Sequence, residues 1–516
     1  MKLKDAIKDI NVNVIGNEDI EVNEIHNDSR KIKSGYIFAA IDGFNTKGIK
    51  FLKSAISNGT NCVLVDEKYY VDIEEMKKED EIYNITYIFS KRVLKDMAII
   101  AKNIYGNSSK DMKVIGITGT KGKTTVSTII AKTLEDYGKN VLLIGTNGAL
   151  LNGEQLYYTE RTTLESFENQ KLFKIAKEKN AQYIVLEVSS QAMIKDRVYG
   201  IDFFETTFTN FSEDHISEFE HPDLESYFEA KINALNLSKT NIINLDDENV
   251  KRALDILKEN QFITFGKIDE SSENENANKP NIGFKLDTLK KGKYWEVEIQ
   301  VEKGIYKDEY IGKYILKNNI PGIFSIYNSL AIMANLMMLD VPMENILEGI
   351  KTHTVPSRFE RQENDLDLNI YLDFAHTEES YRQILKTANE MKKGRIIYVW
   401  GADGNRDKLK RPKMAEVVEE YADINIMCPC DLFGEETFEE VLEGMKKGLK
   451  NPEAKTNISF MDRKEAIMYA IDIMQKDDLL FIVGKYPVPF INTNEGRVHF
   501  DEKEIIKEAI DKKNQK

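Results

Sequence analysis

The run Gly116-Ile117-Thr118-Gly119-Thr120-Lys121-Gly122-Lys123-Thr124-Thr125 carries the most readable chemistry in the chain. An apolar strand, Val114–Thr118, leads into it, and a helical stretch, Thr125–Tyr137, follows. Glycines let a backbone turn tightly and aim its N–H groups at phosphate oxygens. The helix N-terminus beyond adds partial positive charge. Lys123 is placed to reach β- and γ-phosphates, and Thr124 to ligate Mg²⁺, so the run reads as a nucleotide phosphate loop. Its glycines fall at 116, 119 and 122, and Ile117 stands where the common spacing has glycine. Glu187 ends a second apolar strand, Tyr183–Val188. A carboxylate at the carboxyl edge of a parallel sheet points into the ligand crevice; the plainer reading is a carboxylate that caps a helix. Cys62, Cys428 and Cys430 offer no disulfide framework. The Cys428-Pro429-Cys430 spacing, with no second pair, does not suit zinc.

These groups need elements to hold them, and the pattern supplies three α/β blocks. The first, 1–108, alternates short strands (Tyr36–Ala40, Cys62–Val65) with a helix at Phe51–Asn58, and ends at a polar linker, 107–111. The second, 109–352, begins with the phosphate-loop strand. Its strand–helix–strand run through Val141–Ile144 implies a parallel sheet with a right-handed crossover. A polar insertion, 270–279, precedes the alternating runs Ile282–Leu286 and Trp295–Val301, which read as antiparallel strands. The third, 353–516, alternates strands (Ile370–Asp373, Ile396–Trp400, Leu479–Val483) with helices, as a smaller doubly wound domain does.

The 516 residues exceed one ordinary core, in keeping with several domains. With 71 Lys and Arg against 86 Asp and Glu, the formal charge is −15, which argues against a nucleic-acid partner. No run of about 18 apolar residues offers a membrane span, and the N-terminus carries no cleavage signal. The expectation is a cytoplasmic monomer without membrane insertion, acting on small molecules.

The glycine spacing resembles that of the Mur ligases, in particular the branch that adds the third residue of the peptidoglycan stem, and further motifs follow in family order over nearly the whole chain. The resemblance implies a central P-loop parallel-sheet ATPase domain flanked by an N-terminal UDP-binding α/β domain and a C-terminal Rossmann-like domain. It implies ATP-dependent phosphorylation of a substrate carboxylate, followed by amine attack on the acyl phosphate, with Gly119, Thr120, Lys121, Gly122, Lys123, Thr124 and Thr125 holding ATP. Glu187-Val188-Ser189-Ser190 then makes Glu187 a Mg²⁺ ligand and Ser189 a substrate contact, although Gln191 replaces the usual His. Thr209-Asn210-Phe211-Ser212-Glu213-Asp214-His215 makes His215 a ligand of a second metal. Tyr227-Phe228-Glu229-Ala230-Lys231 resembles the segment with a carbamylated lysine, so Lys231 is a catalytic and metal-bridging candidate; alone, it reads as a solvated lysine on a helix. Arg161-Thr162-Thr163 and Arg197 resemble the grip on the UDP-muramoyl peptide, with Leu164 where Pro or Gly is usual. Asn328, in Tyr327-Asn328-Ser329-Leu330-Ala331, is implied at the adenine, with Ser325 replacing an Asn. At the front, Asn27-Asp28-Ser29-Arg30 and Phe44-Asn45-Thr46 place Ser29, Asn45 and Thr46 at the UDP moiety. Such a front domain argues against folylpolyglutamate synthetase.

In the third block, Asp373-Phe374-Ala375-His376 resembles the segment whose aspartate meets ATP. Gly401-Ala402-Asp403-Gly404-Asn405-Arg406-Asp407, with Lys410-Arg411-Pro412, makes Arg406 the grip on the incoming α-carboxylate, and Gly484 another contact. Enzymes of the family that add diaminopimelate carry Asp-Asn-Pro-Arg where this chain has Cys430-Asp431-Leu432-Phe433, and a glutamate where it has Val488. Losing both charged partners points to another amine. Two other readings stand beside the cell-wall ligase: a Mur-like ligase of another carboxylate, favoured by the altered amine pocket, and a non-catalytic scaffold, opposed by the retained metal ligands.

Overall fold

The computed structural model describes all residues except 44–45, 80–83, 160, 214–220, 258, 269–278, 405–407, 431–434, 486–487 and 516. The chain divides into two compact units, one of Met1–Thr288, Val297–Leu316 and Ile326–Ile350, the other of Leu289–Glu296, Lys317–Ser325 and Lys351–Lys516.

The first unit holds two sheets. Near the N-terminus, Thr86–Ser90, Cys62–Asp66, Tyr36–Ala40 and Glu24–His26 run parallel in that order, with Asn13–Ile15 antiparallel at one edge. Their central runs, such as Cys62-Val63-Leu64-Val65, are buried throughout, as strands covered on both faces must be. The expected helix at Phe51–Asn58 is a 3₁₀ turn, Gly48–Phe51, followed by a helix, Leu52–Ser57.

The expected linker at 107–111 is a 3₁₀ helix, Ser108–Asp111, and not an exposed tether. Ser108 and Ser109 are buried, and Ser108 Oγ donates to the Tyr105 carbonyl at 2.8 Å. Asn107 makes the preceding turn in the left-handed region, at φ 48°, which asparagine tolerates better than most residues. Polar composition suggests solvent here, but a local hydrogen bond lets Ser108 be buried.

In the second sheet, Val141–Gly145, Tyr183–Glu187, Lys113–Thr118, Glu205–Phe208, Thr240–Asn244 and Gln261–Lys267 lie side by side and parallel. The phosphate-loop strand is therefore central, and its register pairs Ile117 with Glu187 and Thr118 with Phe208. Three carboxyl ends thus open at one edge. The helix Lys123–Asp136 makes the expected crossover into Val141–Gly145. Ile282–Phe284 and the strand Trp295–Val301 pair antiparallel, as their alternation implied.

The second unit carries a six-stranded sheet in the order Glu360–Gln362, Asn369–Asp373, Leu479–Val483, Ile396–Trp400, Ile424–Met427, Asn457–Ser459. All but the first pair are parallel. The latest strand in sequence, Leu479–Val483, lies between the two earliest parallel ones, so Asp373, Gly401, Cys428 and Gly484 all sit at or just beyond carboxyl ends of neighbouring strands.

Candidate active site

The phosphate loop turns on two glycines in left-handed or extended positive-φ geometry. Gly119 has φ 135°, and a Cβ there would lie 2.0 Å from Thr209 Oγ1. Gly122, at φ 89°, is the N-cap of the helix, and its Cβ would lie 2.4 Å from Asn328 Oδ1. Both positions exclude side chains on backbone and steric grounds. Asn328 is thereby brought against the loop itself.

Two lysines meet on one carbonyl of this loop. Lys123 Nζ donates to the Gly119 carbonyl at 2.9 Å and to the Thr120 carbonyl at 3.1 Å. Lys231 Nζ donates to the same Gly119 carbonyl at 2.8 Å, is 2% exposed, and lies over the Tyr227 ring 4.8 Å from its centroid. The solvated-lysine reading of Lys231 is thereby replaced by a buried amine at the phosphate loop. Tyr227 and Lys231 are four apart on the helix Leu224–Leu235, hence on one face. The Tyr227 hydroxyl lies 3.2 Å from Thr120 Oγ1. Asn210 clamps the loop from the neighbouring strand end: its Oδ1 accepts from Lys121 N at 2.9 Å, and its Nδ2 donates to the Lys121 carbonyl at 3.0 Å. Thr125 is buried in the first helical turn.

On the other side of the central strand, Thr124 Oγ1 donates to Glu187 Oε2 at 3.0 Å. Glu187 Oε1 accepts from Thr146 N at 3.0 Å, and Oε2 from Thr146 Oγ1 at 3.2 Å. Glu187 is thus held by the loop beyond the strand Val141–Gly145 and is no helix cap; Ser189 caps the helix that follows, accepting from Ala192 N. Hydroxyl and carboxylate oxygens are hard donors that suit Mg²⁺. Among the described residues, no group of three or more His, Cys, Asp or Glu could hold a metal. A Mg²⁺ that shares phosphate oxygens and water needs only one or two carboxylates, so Thr124 and Glu187 fit it. His215, the second-metal candidate, lies outside the described residues.

The muramoyl-peptide candidates surround the same strand end. Thr162 Oγ1 lies 3.2 Å from Thr146 Oγ1. Thr163 Oγ1 donates to the Glu187 carbonyl at 2.7 Å and accepts from Ser189 N at 3.0 Å. Arg197 donates to the Thr163 carbonyl at 3.3 Å and pairs with Glu165 at 3.1 Å, and Arg161 reaches the same Glu165 oxygen at 2.5 Å. Both guanidiniums therefore carry an internal counter-charge that the sequence did not reveal.

The N-terminal candidates form a separate group. Ser29 is buried at the start of a 3₁₀ turn, where Asp28 Oδ1 accepts from Arg30 N at 3.0 Å. A cavity of about 910 Å³ is lined by Asp42, Gly43, Thr46, Lys47, Lys68 and Tyr69. Asp42 braces it, accepting from Gly48 N at 2.8 Å and from the Tyr69 hydroxyl at 2.8 Å. Asn45 lies outside the described residues.

In the second unit, Asp373 Oδ1 accepts from Ala375 N and Oδ2 from Phe359 N, each at 2.7 Å. Gly484, at φ 100°, donates its N–H to the Asp373 carbonyl at 3.2 Å. Arg406 lies outside the described residues. Sequence reasoning passed over Thr146 and Tyr227. Thr146 follows a parallel strand, which is a usable signal. Tyr227 is one helical turn from Lys231.

Residues 117–336 match the Mur ligase middle domain, and residues 357–486 match the Mur ligase, glutamate ligase domain. The UDP-N-acetylmuramoyl-L-alanyl-D-glutamate–2,6-diaminopimelate ligase of Caldanaerobacter subterraneus is 34% identical over 514 residues, 99% of each chain. A solved structure of a ligase with that same name aligns over 100% of this chain and 99% of its own, with a TM-score of 0.65 and 23% identity. The ADP complex of MurF ligase from Thermotoga maritima covers 96% and 98%, with a TM-score of 0.58 and 16% identity. At those identities the two solved structures show a shared fold, with N-terminal, middle ATPase and C-terminal domains.

Proposed function

The chain belongs to the Mur ligase family, and on that premise we propose that it joins an amino acid to a UDP-N-acetylmuramoyl peptide in peptidoglycan precursor synthesis. The chain is an ATP-dependent amide ligase. The meeting of Lys123 and Lys231 on the Gly119 carbonyl carries the reading, because it sets two amines at the loop that would cradle the transferred phosphate. The peptide carboxylate attacks the γ-phosphorus and ADP leaves. The incoming amine then attacks the acyl-phosphate carbon, losing a proton as phosphate departs.

Each residue has a role in this scheme. Lys123 holds the β- and γ-phosphate oxygens and stabilises charge as the bond to ADP breaks. Thr124 and Glu187 would hold Mg²⁺, which supplies charge neutralisation for the phosphates. Carbamylation of Lys231 would leave one N–H for the Gly119 carbonyl and add an anionic group; His215 is proposed as a ligand of a second metal. Thr162, Thr163, Ser189 and Arg197 position the peptide, while Ser29, Asn45 and Thr46 hold the UDP moiety. Asn328 and Asp373 are assigned to ATP, Arg406 and Gly484 to the amino acid. The domain limits 1–108, 109–352 and 353–516 belong to the same reading, as do a monomeric state and a cytoplasmic location. No helix among the described residues is long and apolar enough to cross a membrane.

Diaminopimelate is not carried over from the relatives. Val488 offers no charge to a distal ammonium, and its carbonyl is taken by the Lys485 ammonium. The test is an ADP-release screen of amino acids with UDP-muramoyl-Ala-Glu and ATP. One amine should accelerate release, and Lys123→Ala should lower its turnover on the order of 10³-fold. ATP binding without acceleration by any amine would sink the assignment.

A further inference from the structure

Among the described residues, the second unit contains two nearly inaccessible arginines, each paired with a glutamate. Arg411, 1% exposed, donates from Nη1 and Nη2 to the two carboxylate oxygens of Glu436, at 2.8 Å each, and from Nη2 to the Asp403 carbonyl at 3.1 Å. Arg463, 4% exposed, donates from Nε to Glu502 Oε1 at 2.8 Å and from Nη2 to the Val483 carbonyl at 2.9 Å. Its Nη1 reaches Cys428 Sγ at 3.4 Å and Cys430 Sγ at 3.6 Å. Burial pushes both thiols up, which keeps them neutral acceptors. Glu502 is the counter-charge of Arg463.

The groups held in this way lie at carboxyl ends of adjacent parallel strands. Val483 ends its strand, Asp403 follows Ile396–Trp400, and Cys428 follows Ile424–Met427. They also press on one another. A Cβ on Gly401 would lie 2.2 Å from the Cys428 carbonyl and 2.9 Å from Cys430 Sγ, closer than a side chain allows, while one on Gly484 would meet Cys430 Sγ and the Gly401 carbonyl in ordinary contact at 3.4 and 3.6 Å. A loop in so tight a junction cannot move without its neighbours. Buried ion pairs rarely exceed apolar replacements in stability. The planar five-donor fork of arginine, however, fixes several acceptors at set angles, which lysine cannot do.

Resting on the reading of the second unit as the holder of the incoming amino acid, we propose that Arg411 and Arg463 are positioning residues for the amine. They set the relative placement of the loops at Asp403, Cys430 and Gly484 without touching the substrate. The enzyme's affinity for the amine depends on that placement more than its handling of ATP does; the ATP candidate Asp373 meets the Gly484 loop through its backbone carbonyl.

Full-length Arg411→Lys and Arg463→Lys are assayed for ADP release against amine concentration, with ATP and the muramoyl peptide saturating. The amine KM should rise by roughly 100-fold, the cost of displacing a binding group by about 1 Å. The KM for ATP and kcat at saturating amine should stay within about threefold of wild type. The paired variant Arg463→Met/Glu502→Leu removes both charges of one pair, a replacement that commonly preserves folding, and near-UV circular dichroism reports its fold. It should show the same amine defect. An unchanged amine KM in a folded variant overturns the proposal, as does an equal rise in both KM values. Loss of the folded signal in every variant would make the pairs a stability device and overturn it too. A wild type whose ADP release no amine accelerates defeats the functional reading, and this inference with it. An amine-saturable wild type beside unchanged variants defeats this inference alone.

Discussion

Lys231 shows how little a residue type says without its surroundings. In the sequence it is one of many lysines in the chain and reads as solvated on its helix; in the fold it is buried over Tyr227 with its amine on the phosphate loop. Lys231→Ala should lose activity by on the order of 10²-fold or more, and added bicarbonate or short carboxylates should restore part of it if an anionic group acts there. A mutant as fast as wild type would remove Lys231 from the chemistry. His26 offers a prediction about pH. Its ring rests on Phe167, with centroids 4.7 Å apart, and Nδ1 accepts from Asp28 N at 2.9 Å, beside Ser29. Burial holds its pKa down at about 4, from 6.5. Between those values the unfolded chain binds the proton and the native chain does not, so stability from this group is full above pH 6.5 and falls as pH drops toward 4. His26→Gln should show a shallower loss across that window in urea titrations. Parallel curves for the two proteins would rule the group out.

At the scale of elements, Gly349 poses a contest of known terms. It lies inside the helix Met343–Thr352, where alanine would be favoured by about 1 kcal/mol on propensity. Its Cβ, however, would lie 2.2 Å from Thr133 Oγ1 in the phosphate-loop helix, and Thr133 is fixed by donating to the Ile129 carbonyl at 2.8 Å. Overpacking costs roughly 1–3 kcal/mol, so Gly349→Ala should destabilise, and Gly349→Ala/Thr133→Ala should recover part of the loss. A higher urea midpoint for the single variant would show that the helices part freely. The phosphate-loop helix was legible because strand, glycine turn and helix are contiguous and each acts locally. Glu187 was legible for a related reason, as the polar end of an apolar strand. The 3₁₀ turn within the expected linker at 107–111 was hidden because composition reports polarity and not whether a hydroxyl finds a carbonyl. Arg411 and Arg463 escaped as functional residues because their partners lie far away in sequence: Glu502 is 39 residues from Arg463. The insertion of Leu479–Val483 between earlier strands was hidden likewise, since strand order is not written in hydrophobic period.

For the whole molecule, the division into two units makes a claim about cooperativity. The cluster built on Leu142, Ile184 and Val114 draws only on the first unit, and the cluster built on Ile370, Ile397 and Leu480 only on the second. Units with separate cores need not unfold together, and one transition temperature is then not a property of the chain. Heating should give two transitions. On the proposed role of Thr46 in holding the UDP moiety, UDP should stabilise only the first unit, by about 2.7 kcal/mol at roughly a hundred times its Kd, and so raise only that unit's transition. Arg463→Lys should lower only the other, because breaking part of a buried pair weakens the core that holds it. Differential scanning calorimetry reads both shifts in the intact protein. A single transition that UDP and the Arg463 variant move together would mean that the two units share one cooperative core.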